Sequence, residues 1–152
     1  MGKPGWLASF ILWTALTAIP ASAETPAAET WTPTSRNAQT VTGKVVVAAG
    51  QITFQNGTSM QISRPSQMLF RPKAKARKVM ADLYRLTAAA DQVLENGSKL
   101  CGSRTATYMI VWKSEKLGPA DIDPRTMAVF SGPRFDPGSP DECARYVYDA
   151  GR

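Results

Sequence analysis

The chain has 152 residues, with 18 Lys and Arg against 12 Asp and Glu, a net charge of +6, two cysteines and no histidine. That length suits one domain with one modest core once a leader is set aside. The missing histidines exclude Ser-His and Cys-His nucleophilic sites and every His-ligated metal centre, so neither metal nor cofactor is expected.

Lys3 precedes an apolar run from Trp6 to Ile19, Pro20 breaks it, and Ala21-Ser22-Ala23 supplies the small residues a signal peptidase accepts. The run is shorter than the ~20 apolar residues needed to span a bilayer. These features predict a signal peptide over 1–23, cleavage near Ala23, and a periplasmic or secreted protein without a transmembrane anchor. Residues 24–38 are rich in Thr, Ala and Pro and read as a flexible leader. Trp31 is the exception there, a large aromatic able to dock on the domain. A single β-rich domain is expected over 39–152.

Residues 41–48 are Val-rich and predict a strand buried on both faces, which Gly50 ends. Residues 51–55 and 58–62 alternate apolar and polar around Asn56-Gly57 and predict a hairpin. A two-residue turn would set Phe54 opposite Ser59, mixing polar and apolar side chains on one face. A three-residue loop, Gln55-Asn56-Gly57, sets Phe54 opposite Thr58 and Ile52 opposite Met60, and gathers the apolar residues together. The second register is preferred. Residues 64–78 read as a loop interrupted by Met68-Leu69-Phe70, with Phe70 capping the core. Residues 81–87 suit either strand or helix, and 88–96 predict a short helix stopped by Gly97. Strands follow at 105–113, 126–130 and 142–149, the last with Ala144, Tyr146 and Tyr148 on one face, and 132–140 is a loop. The expected fold is mainly β: a small antiparallel barrel or sandwich of five to seven strands with at most one or two short helices.

Two cysteines in an exported chain predict one disulfide, Cys101–Cys143. It closes a loop of roughly forty residues, for which the chain-entropy model gives roughly 4 kcal/mol.

Arg64, Arg71, Lys73, Lys75, Arg77 and Lys78 lie in one stretch that holds no acid, and without them the mature chain is slightly acidic. Arg71, Lys73, Lys75, Arg77 and Lys78 are therefore the candidate contacts for an anionic partner, against the plainer reading of a solvated connection. Export makes nucleic acid a poor partner; an envelope component, a periplasmic protein or peripheral contact with a membrane surface fits better. Arg134, just after a predicted strand, is a candidate recognition residue in a Pro-rich loop. Catalytic residues are not expected. The carboxylates Asp121, Asp123, Asp141 and Glu142 are the remaining acid–base candidates, and turn or surface roles are the preferred reading of them, since Asp and Pro are ordinary turn formers. Asn56-Gly57-Thr58 and Asn96-Gly97-Ser98 match the N-glycosylation pattern and are also Asn-Gly turns.

Trp31-Thr32-x-x-Ser35, Thr42-Gly43, Phe54-x-Asn56-Gly57, Leu83-Tyr84-Arg85, Asn96-Gly97-x-x-Leu100-Cys101-Gly102, Val111-Trp112, Ala128-Val129-Phe130-Ser131-Gly132 and Cys143-Ala144-x-Tyr146-x-Tyr148 occur in that order. Together they resemble a family of small exported proteobacterial proteins with a signal peptide and two cysteines, a family without an assigned function. The likeness implies a Gram-negative periplasmic setting but supplies no activity. A looser similarity to periplasmic C-type lysozyme inhibitors extends to architecture alone, since Val111-Trp112-Lys113 precedes Ser131-Gly132 here. The functional expectation is a non-enzymatic binding module. An inhibitor of a cell-wall-degrading enzyme and a histidine-free carbohydrate-active enzyme are the alternatives.

Overall fold

A computed structural model describes residues 1–2, 27–88, 92–115, 122–135 and 141–151. The leader over 3–23 and Asp121 therefore lie outside the described residues. Among the described residues nine strands follow one another: β1 (Glu29–Pro33), β2 (Val45–Ala48), β3 (Gln51–Phe54), β4 (Ser59–Ile62), β5 (Ser66–Phe70), β6 (Val79–Ala88), β7 (Tyr108–Lys113), β8 (Pro124–Phe130) and β9 (Glu142–Asp149). Each neighbouring pair is antiparallel. β1 pairs with β9 and β4 with β6, so eight strands close into a meandering barrel, with β5 as one extra strand. Of the antiparallel barrel or sandwich expected, the barrel is what forms, with nine strands among the described residues rather than five to seven.

The ninth strand follows from how β6 is shared. The C-terminal half of β6 pairs with β4 through Ile62↔Leu86, while its N-terminal half pairs with β5 from Ser66↔Leu83 to Phe70↔Val79. β7 takes the other edge, so β4 and β5 lie in line along one edge of β6. Between them Ser63 N donates to Arg85 O at 2.8 Å, and Arg85 N to Ser63 Oγ at 2.9 Å, which carries the pairing across the break at Arg64-Pro65.

The hairpin β3–β4 has the three-residue loop and the Ile52↔Met60 register that apolar segregation favours. Phe54 N donates to Thr58 O, Gly57 N donates to Phe54 O, and Gly57 takes φ 84°. Four sequence expectations are corrected. Residues 29–33 are not leader but β1, and Trp31 is buried in the barrel, because the wall between β2 and β9 needs a strand to close it. Residues 38–42 form a single π-type turn, so β2 begins only at Val45, after Gly43 turns the chain at φ 60°. Residues 66–70 are strand rather than loop. The helix expected over 88–96 does not form among the described residues: Ala88 ends β6, and Val93 bridges Lys99 around a turn at Gly97, with Ala89 to Asp91 outside the described residues, while 81–87, open to either strand or helix, is strand.

Strand alternation divides the apolar side chains into two clusters. Trp31, Val45, Ile52, Phe54, Met60, Met109, Val111, Met127, Val129, Tyr146 and Tyr148 fill the interior. Phe70, Ala81, Ile110, Trp112, Ala128 and Phe130 form a second cluster on the outer face of β5 to β8. Residues 109–112 are thus buried on both faces, which is why that segment reads as an unbroken apolar run. Phe70 does not cap the interior but stacks against Trp112 outside, with ring centroids 5.2 Å apart.

One barrel end is closed. The loop over 92–107 brings Leu94, Leu100 and Ala106 into the core, and Asn56 Nδ2 donates to Val93 O at 3.0 Å to hold it. Cys101 is linked to Cys143 at the start of β9, across a Cα–Cα distance of 5.2 Å. Tyr146 donates from its hydroxyl to Leu100 O at 2.8 Å, and Thr42 Oγ1 and the Tyr148 hydroxyl share a hydrogen bond of 2.6 Å.

Candidate functional site

The opposite end is open. There β5 ends, β6 begins, and the loop between them carries the five basic candidates. Arg71, Lys73, Lys75, Arg77 and Lys78 are all exposed. Among the described residues none of them joins an ion pair. A turn from Ala76 N to Lys73 O and an Arg71 Nη1 bond to Ala74 O give the loop internal order. Its base is docked onto the outer face. Arg145 donates from Nη2 to Pro72 O at 3.1 Å, lies over the Trp112 ring at 5.3 Å, and is oriented by a two-pronged contact with Glu142 at 2.8 and 2.7 Å. The loop is therefore a tethered cationic ridge.

Beside it the barrel mouth encloses a cavity of about 690 Å³. The two-residue period of the strands layers its wall. Trp31, Ile62, Tyr84 and Val111 form the deeper ring, and Val47 and Met80 extend the apolar lining outward. Glu29, Asp82, Lys113 and Arg125 stand in the outer ring. Asp82 is opposite Val111, Lys113 is opposite Arg125, and Glu29 lies two residues before the buried Trp31, which places all four rim side chains on the interior face.

Charge is unevenly committed in that ring. Asp123 binds both cations, Lys113 at 3.3 Å and Arg125 at 3.0 Å, and the Asp123 backbone N–H donates to Asp149 Oδ1 at 2.9 Å. Glu29 accepts a hydrogen bond from Trp31 Nε1 at 3.0 Å, so its carboxylate is held against the indole edge. Among the described residues neither Glu29 nor Asp82 forms an ion pair. Burial, then Asp82, then Glu29 raise the pKa of the Tyr84 phenol, while Arg125 pulls it the other way. The phenol is neutral at physiological pH and looks onto two carboxylates.

The remaining candidates are separated from this mouth. Arg134 is exposed, in the loop leaving β8 at the closed end, where its neighbour Phe135 packs edge-on against Phe130 at 5.0 Å. Asp123 precedes β8 at the open end, whereas Asp141 and Glu142 follow it at the closed end. A seven-residue strand, about 20 Å long, lies between them. A glycosidase pair needs its carboxyls within about 10 Å, so no such pair joins these ends. Asn56 and Asn96 each accept from the backbone N–H two residues on, Thr58 at 3.1 Å and Ser98 at 2.9 Å, which explains both Asn-Gly tripeptides as turns.

Among the described residues no group of His, Cys, Asp and Glu has the arrangement of a metal site, and no helix is long and apolar enough to cross a membrane. No protein-family model matches the chain. No curated protein and no solved structure matches it either. The cavity was not foreseen from sequence, because its wall is drawn from separate strands whose only shared signal is alternation. The basic ridge was legible as a run of charge.

Proposed function

We propose that this chain is an exported, non-enzymatic binding module that engages an anionic component of the cell envelope through the β5–β6 loop. The observation carrying this reading is the exposure of Arg71, Lys73, Lys75, Arg77 and Lys78 without ion-pair partners among the described residues, on a loop tethered by Arg145. Five like charges side by side repel one another, and a counter-charged surface relieves that repulsion. Export rests on the leader-like residues 1–23 and agrees with the Cys101–Cys143 disulfide, which persists in oxidising compartments.

Vesicles containing phosphatidylglycerol, compared with purely zwitterionic ones, test the reading. Each basic side chain near an anionic membrane contributes about 1 kcal/mol, so changing all five to Ser removes several decades of affinity and flattens the salt dependence. Equal binding by the five-Ser variant, or equal binding to both vesicle types, rejects an anionic lipid partner. N-terminal sequencing of the protein recovered from the envelope fraction checks the processing at Ala23.

A further inference from the structure

We propose that the open mouth of the barrel is a second binding site, taking an organic cation with an apolar body, an amphiphilic amine. An eight-stranded barrel is the size at which the interior either fills with side chains or holds one small ligand. Here the closed half is filled, while about 690 Å³ at the mouth remains open, within the range of small-molecule sites. Trp31, Val47, Ile62, Met80 and Val111 offer that space an apolar wall, so the occupant has an apolar part.

The sign of its polar part follows from which charges are already satisfied. Both rim cations are held by one carboxylate, Asp123. Glu29 and Asp82 face the same space without a counter-ion among the described residues, leaving the mouth with surplus negative charge. An anionic ligand would meet those two carboxylates; an ammonium meets them as partners. Trp31 and Tyr84 lie one layer deeper in the same lining. The neutral Tyr84 hydroxyl has no hydrogen-bond partner among the described residues and can accept from an N–H donor. Met80 is 57 % exposed at the lip, so apolar surface is available before entry.

This site is separate from the basic loop, and the two readings fail separately. Calorimetric titration with decylammonium, decanol and decanoate, each below its micellar concentration or solubility limit, distinguishes the ligand chemistries. The expected order of affinity is the ammonium first, the alcohol next and decanoate last. Glu29→Gln with Asp82→Asn keeps the shape, and lowers ammonium affinity at least about tenfold while leaving the alcohol unchanged. Met80→Arg, at an exposed position, places a cation on the lip and gives a folded second variant with the same loss. The five-Ser loop variant retains or improves ammonium binding, whatever its effect on vesicles. Decanoate binding as tightly as the ammonium, undiminished ammonium binding in the double-amide or Met80→Arg variant, or no binding of the ammonium at millimolar concentration overturns the proposal.

Discussion

Tyr146 and Tyr148 show how single polar atoms are accommodated inside this barrel. Each ring supplies apolar bulk, and each hydroxyl finds one acceptor or donor: Leu100 O for Tyr146, Thr42 Oγ1 for Tyr148. Burial pushes the Tyr146 phenol up to about 12 from 10.0, and burial also raises Tyr148, against the opposing Thr42 hydrogen bond. The sign for stability follows. In the unfolded chain these phenols lose their protons near the ordinary value, while the folded protein keeps them, so stability is whole below about pH 10 and falls as pH rises toward 12. Urea midpoints measured from about pH 8 upward should stay level and then drop through that window, with phenolate absorbance of the buried rings appearing only as the chain unfolds. A level midpoint across the window contradicts the burial of these hydroxyls.

At the scale of elements, the two-residue period carries most of what the sequence made readable. Ile52, Phe54, Met60 and Ile62 segregate to one face in only one register, and that register is the one found. The segment over 105–113 announced a central strand because residues 109–112, within β7, are buried on both faces, one by the interior and one by the outer cluster, although the strand itself begins only at Tyr108. Alternation failed where a short strand carries one strong side chain: β1 holds Trp31 among Thr, Glu and Pro, a composition indistinguishable from a linker. It failed too at 79–88, where Val79, Met80, Leu83 and Leu86 also satisfy helical spacing and only pairing with β5 and β7 decides. The Val-rich segment over 41–48 is shortened for a steric reason. Gly43 takes φ 60° and ψ −154°, and a Cβ there would lie 2.5 Å from Gln55 Oε1 and 2.6 Å from Gln55 Cβ. Gly43→Ala should therefore cost about 1–3 kcal/mol, read as a lower urea midpoint, with Gln55 displaced from its bond to Lys44 N. An unchanged midpoint would mean that β2 can begin earlier, as its valines alone suggest.

For the whole molecule, closure of the ring is what makes a cavity possible, and closure depends on β1. Its first half pairs with β2 through Glu29↔Val47 and Trp31↔Val45, its second with β9 through Thr32↔Asp149, so five residues join the two halves of the wall. The same strand supplies Trp31 to the core and Glu29 to the mouth, which couples folding to the proposed amine site. A chain starting at Gln39 loses the strand, leaves two edges unpaired and uncovers the interior that Trp31 seals; loss of a buried Trp alone costs about 3–5 kcal/mol. That is a large share of a small domain's stability. The expected outcome is loss of cooperative unfolding and of the near-ultraviolet dichroism of packed aromatics, while a chain starting at Glu24 keeps both. Trp31→Phe within that longer chain separates the contributions: it retains the backbone ladder and should unfold cooperatively at a lower urea concentration. If the chain starting at Gln39 instead unfolds at the same midpoint as the longer one, β1 is dispensable and the mouth is not a closed ring.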